Sequence, residues 1–285
     1  EGNPKSREPL VVLIHGFVGC HMDFEPLCKH ILKAGRRILR YDNYGRGWST
    51  LPKDLERLSS IDMYVQQAVE LLEHLDMDGP YDIIGYSMGG GIAAKLCTKL
   101  KHRVRSLTLL APAGMPSTGG SNMNIVTLGK LLDRMKLVPF GPTLHSLLCK
   151  SVIKSILTSF PSEAKDPVHA ELYSWYMPMQ KARAKHEQHL PYAASCTLIS
   201  YPFNKLLPTY REVAQMSIPT MCAWGEADEQ VPIAGLLDMR KAFHDAELTD
   251  FIIKDSSHMF PLEQASSIAS EIEAFWSALT STDKK

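Results

Sequence analysis

Short apolar runs alternating with longer stretches of helical period are the feature that most narrows what this chain can fold into. The runs Leu10 to Ile14, Arg37 to Tyr41, Tyr81 to Ile84, Val104 to Leu110, Thr220 to Trp224 and Thr249 to Ile253 are bounded by Gly, Pro and Asp. Between them, Phe24 to Ala34, Ile61 to Leu75, Met88 to Leu100, Ile233 to Phe243 and Ser266 to Leu279 carry helical spacing. Strand, crossover helix, strand is the pattern of an α/β fold with a mostly parallel sheet flanked by helices. At 285 residues the chain suits one such core with an insertion.

The alternation breaks after Ala113 and resumes after Tyr210. The expected organisation is a core of residues 1–113 and 211–285 carrying a helical cap, or lid, of residues 114–210. Within the cap, Ile125, Leu128, Leu131, Leu132 and Met135 fall at helical spacing, as do Leu144, Leu147, Leu148, Val152, Ile156 and Phe160. Arg134, Lys136, Lys150 and Lys154 lie among them, and no acidic residue occurs from Arg134 to Ser162. Two readings follow: a cap packed on the core with solvated lysines, or a lipid-facing lid that makes peripheral membrane contact.

Charge narrows the partners. Thirty-one basic residues balance thirty-one acidic ones, so the charge of the whole molecule indicates neither a nucleic-acid binder nor an acidic scaffold. The six cysteines are scattered without a C-x-x-C pair, so neither a zinc site nor a disulfide framework is expected. Free thiols favour a reducing, cytoplasmic setting, although an even count leaves pairing open. No apolar run reaches the length of a membrane span, and Glu1 to Pro9 has no signal-peptide core. The chain does not begin with Met, which leaves room for an upstream anchor or targeting segment.

The chemistry is carried by four loops that follow strands. Gly85, Tyr86, Ser87, Met88 and Gly89 form G-x-S-x-G between an apolar strand and a small-residue helix start. A sharp strand-to-helix turn there lifts a hydroxyl above the sheet, and the glycines leave room for it. Ser87 is the expected nucleophile. The first strand runs into His15, Gly16, Phe17, Val18 and Gly19, where His15 is expected to be structural. The backbone N–H groups of Phe17 and Met88 are the expected oxyanion hole. Asp228 is the expected acid, with Glu226 as its nearest rival, and His258 follows the last strand as the expected base. Trp224 and Met259, beside these loops, are the expected substrate contacts. Acyl transfer by such a set requires no metal and no organic cofactor.

Five ordered motifs resemble the α/β-hydrolase superfamily over nearly the whole chain. They are H-G-F-x-G at 15–19, D-x-x-G-x-G-x-S from Asp42 to Ser49, G-Y-S-M-G-G at 85–90, G-x-x-D-x-x-V-P at 225–232, and His258. The segment Leu110 to Met115 further resembles the monoacylglycerol lipase and lysophospholipase-like esterases. The resemblance implies the α/β-hydrolase fold and cleavage of carboxylic esters through an acyl-enzyme on Ser87, and the apolar cap favours lipidic or medium-chain acyl substrates of the monoacylglycerol or lysophospholipid type. Serine at position 87 differs from the Asp nucleophile of the dehalogenases and epoxide hydrolases of this fold. Carbon–carbon bond hydrolysis, peracid formation and a non-catalytic ligand-binding role remain open alternatives. Members of the family usually begin with an antiparallel hairpin, whereas nine residues of this sequence precede Leu10, so the hairpin is missing if the chain is complete. The expectation is a reduced sheet of about six strands with Arg37 to Tyr41 at an edge, where arginines resist unwanted pairing.

Overall fold

The computed structural model describes residues 1–52, 60–118, 127, 134, 141–158 and 169–282. Ile125, Leu128, Leu131, Leu132, Met135 and Phe160 of the expected cap pattern lie outside them. Six strands form one sheet: β1 (Leu10–Ile14), β2 (Ile38–Arg40), β3 (Tyr81–Tyr86), β4 (Val104–Leu110), β5 (Thr220–Gly225) and β6 (Leu248–Ile253). Their order is β2-β1-β3-β4-β5-β6 and every pairing is parallel.

The apolar runs explain this order. Every residue of β1 and β3 is buried, which fits strands with a layer packed on each face. β2 stops after three residues and lies at an edge, where Arg40 pairs with Glu1 and Glu25. From β1 the chain steps outward to β2, then returns to the other side of β1 as β3. That reversal puts a crevice beyond the carboxyl ends of β1 and β3, where open parallel sheets bind ligands. The loops beginning at His15 and Ser87 both start there.

The helices are α1 (Glu25–Lys33), α2 (Ile61–His74), α3 (Met88–Leu100), α4 (Gly141–Thr158), α5 (Ala170–His186), α6 (Leu190–Ser200), α7 (Leu207–Gln215), α8 (Ala234–Ala242), α9 (Phe260–Glu263) and α10 (Ala265–Thr282). α1 packs on α10, while α2, α3, α7 and α8 pack on one another in turn. α4, α5 and α6 form satellite clusters. Ile153, Leu157, Leu190 and Ala194 close on Phe17 and Val18, and Tyr173, Tyr176 and Met177 close on Met259 and Leu262. These helices therefore roof the crevice. The expected cap boundary at 210/211 falls inside α7, whose Tyr210 is fully buried and donates to the Ala113 carbonyl at 2.7 Å. Leu206 N donates to Gly114 O at 2.9 Å, so the departure and return of the chain are tied together.

The first turn of α3 presses onto the end of β1. A Cβ on Gly89 would lie 2.0 Å from the Ile14 carbonyl oxygen, and that backbone cannot retreat without disturbing β1, which is paired on both sides. Gly89→Ala is expected to destabilise the fold by about 3 kcal/mol through overpacking. Urea denaturation measures this, and a variant as stable as the wild type would contradict the contact.

Candidate active site

Ser87 stands between β3 and α3 with φ 55° and ψ −120°. An L-residue is strained there by roughly 1–3 kcal/mol, and surrounding bonds must hold it. Ser87 N donates to Leu110 O, while Ser87 O accepts from Gly90 N and Ala113 N, each at 2.9 Å. The side chain is thereby fixed on the wall of a cavity of ≈ 540 Å³.

His258 reaches the same wall from the loop between β6 and α9. Its Nδ1 lies 2.7 Å from Asp228 Oδ2, and both residues are buried. Asp228 Oδ1 accepts from Gln230 N at 2.9 Å and Val231 N at 2.8 Å, so both carboxylate oxygens are engaged. With Nδ1 donating to the carboxylate, Nε2 carries the free lone pair. Glu226, the rival acid, is exposed and accepts from Asp255 N. Among the described residues no hydrogen bond joins the Ser87 hydroxyl to His258, although both line the same cavity.

Tyr86, inside G-x-S-x-G, was not singled out by sequence. Its hydroxyl donates to the His258 carbonyl at 2.7 Å, and the two rings lie 5.0 Å apart. The residue before Ser87 thus anchors the loop that carries the histidine.

The His15–Gly19 loop passes against Ser87: a Cβ on Gly16 would lie 3.3 Å from the Ser87 Cβ. The amides of Phe17 and Met88 make no hydrogen bond to another described residue. Arg46, also missed, holds this loop. Its fully buried guanidinium donates to Phe17 O at 2.7 Å and, at 2.9 Å each, to Tyr44 O, Tyr64 Oη and Thr197 Oγ1. The signal for it was its place within D-x-x-G-x-G-x-S.

His15 is a buried strut. Nδ1 contacts Gly16 O at 2.8 Å, and Nε2 accepts from Asn43 N at 2.9 Å. Burial, opposed in part by Asp42, drives its pKa down to about 3, so the ring is neutral. Asp42 accepts from His21 N, His21 Nδ1 and Trp48 N. Burial raises the carboxyl, but the bond from His21 with the other nearby donors outweighs it and brings the pKa to about 2. Cys20, His21 and Asp42 lie close enough to share a cation. Yet His21 and Asp42 are turned onto each other, and burial pushes the Cys20 thiol up to about 12, which leaves the sulfur a poor ligand.

One expected substrate contact needs correction. Met259 lines the cavity, but Trp224 does not; it is fully buried, with its indole N–H donating to Val231 O at 3.1 Å. Its end of β5 faces the core, where it braces the turn carrying Asp228.

A family model described as alpha/beta hydrolase fold matches residues 9–265. Proline iminopeptidase of Lactobacillus helveticus is 36% identical over 107 residues, which is 37% of this chain and 36% of that protein. The matched stretch thus spans little more than a third of that relative. Monoacylglycerol lipase ABHD6 of Bos taurus is 21% identical over 287 residues, 99% of this chain and 79% of that protein. The crystal structure of bromoperoxidase from Bacillus anthracis superposes with a TM-score of 0.71 at 20% identity, covering 94% of this chain and 91% of that one.

His15 has a measurable signature. Its folded pKa near 3 lies below the value of about 6.5 in an unfolded chain, so it contributes stability above about pH 6.5 that is lost as pH falls toward 3. His15→Gln removes that titration. The stability gap between wild type and variant is expected to narrow from about pH 7 to about pH 4 in urea melts; a constant gap would mean that the ring is not buried neutral.

Proposed function

Because the chain belongs to the alpha/beta hydrolase fold family, we propose that it is a serine hydrolase that cleaves carboxylic esters of lipidic or medium-chain acids. The observation that carries this reading is the 2.7 Å contact between His258 and Asp228, set on one cavity wall with the strained Ser87 turn.

In this mechanism His258 Nε2 takes the Ser87 proton as Oγ attacks the ester carbonyl. The Phe17 and Met88 amides hold the oxyanion. The tetrahedral intermediate breaks its carbon–oxygen bond to the alcohol, which leaves with the proton from His258. Water then loses a proton to His258 as it attacks the acyl carbon, and collapse returns the proton to Ser87 Oγ as the acid departs. Asp228 keeps the imidazole in one tautomer and orientation.

The acyl preference rests on the lining. Phe17, Val18, Val152, Ile156, Leu198 and Met259 give the cavity apolar walls fit for a hydrocarbon chain. Similarity to a monoacylglycerol lipase over nearly the full chain supports the same class. The described helices α4, α5 and α6 act in this reading as the lid over the cavity. Leu147, Leu148, Lys150 and Lys154 of α4 are exposed, which suits contact with a lipid surface. No described helix is long and apolar enough to cross a membrane.

The test is hydrolysis of p-nitrophenyl esters from acetate to palmitate. Ser87→Ala and His258→Ala are expected to lose at least about a thousandfold in kcat, and Asp228→Asn about ten-thousandfold. The wild type should favour medium or longer chains over acetate. Activity retained within about tenfold by Ser87→Ala, or confined to acetate, would contradict the proposal.

A further inference from the structure

The cavity beside Ser87 has one polar wall that the ester mechanism does not use. Asp23, in the helical turn before α1, lines it together with Tyr176 and Gln180 of α5. Asp23 is 4% exposed, and room for its carboxylate depends on Gly19, where a Cβ would lie 2.1 Å from Oδ2.

The hydrogen bonds here run in one direction. Arg183 donates to Gln180 Oε1 at 2.9 Å, Gln180 Nε2 donates to the Tyr176 hydroxyl at 2.6 Å, and Tyr176 donates to Asp23 Oδ1 at 3.2 Å. Cys20 N donates to Asp23 Oδ2 at 3.2 Å. A carboxylate accepts about four hydrogen bonds, so two long ones leave acceptor capacity. The charge of Arg183 is engaged by Glu187 at 2.5 Å, and among the described residues Asp23 has no ion-pair partner. Burial raises the Asp23 carboxyl to about 6 against the pull of Arg183 and its hydrogen-bond donors. Glu229, which is exposed, is the second carboxylate lining the cavity, and no Lys or Arg lines it among the described residues.

The open acceptor sites of Asp23 call for a donor from the ligand, and two carboxylates lining a cavity without a cation repel a phosphate. An ammonium would satisfy the charge, but bringing one into a mostly apolar cavity beside a carboxyl already raised to near neutrality costs more desolvation than bringing a hydroxyl. We propose that Asp23 accepts a hydrogen bond from a hydroxyl on the alcohol half of the ester, and so selects neutral polyol monoesters over simple alkyl esters and phosphate-bearing lysolipids. This rests on the ester-hydrolase reading and names the half of the substrate that reading leaves open.

The experiment compares kcat/KM for four esters of one acyl chain: 1-acylglycerol, methyl ester, 1-acylglycerol 3-phosphate and choline ester. Wild type is expected to prefer the glyceryl ester over the methyl ester roughly tenfold, the worth of a hydrogen bond to a charged group, and over the phosphate ester by at least as much. Asp23→Asn, with Asp23→Ala beside it, should bring glyceryl and methyl esters within about twofold while the methyl ester rate holds. Equal loss on both esters would make Asp23 a structural strut and overturn the proposal. So would a wild-type preference for the choline ester, which reads charge, or equal turnover of the phosphate ester. Failure of folded wild type to hydrolyse any of the four would overturn the parent reading together with this one.

Discussion

The site depends on a backbone held against its own preference at Ser87. A residue at φ 55° and ψ −120° is costly for any side chain but glycine, and here three backbone hydrogen bonds from β4, α3 and the Ala113 turn fix it. The close packing of Gly89 on Ile14 sets where α3 begins. Together they set Ser87 on the cavity wall at the start of α3. That geometry serves the serine at a cost to local stability, which the long buried strands on either side offset.

A second tier of contacts connects the loops that meet at this point. Tyr86 reaches from beside the nucleophile to the His258 carbonyl, and Trp224 braces the turn that presents Asp228. His15, Asn43, Asp42 and His21 lock the β1 and β2 loops to each other. Arg46 then links Phe17 to Tyr64 of α2 and Thr197 of α6, so the roof over the cavity and the loop beneath it share one buried cation. Buried networks of this sort favour a single arrangement, and here Asn43 Oδ1 is the one buried side-chain atom of the network left without a partner among the described residues.

The strands were legible because each is a short apolar run closed by a turn residue, and the six observed strands start and stop within a residue or so of those runs. Ser87, Asp228 and His258 were legible for a related reason: each follows a strand of a parallel sheet, so each had to emerge at the same end. What sequence could not show were partners brought together only by folding. Arg46 bonds Thr197, and Tyr176 bonds Asp23, across separations that no local pattern encodes. Trp224 was misplaced because its position at a strand end did not reveal which way the ring turns. The boundary at 210 was drawn inside α7 because the helical pattern continues from the cap into a helix whose Tyr210 belongs to the core.

The central claim is that Ser87 is an activated nucleophile. Mass spectrometry of the intact protein after exposure to a fluorophosphonate, with peptide mapping, tests it most directly. The account predicts one covalent adduct on Ser87 that is absent from Ser87→Ala and strongly slowed in His258→Ala. A folded wild-type protein that forms no adduct, or forms it on another residue, would contradict it.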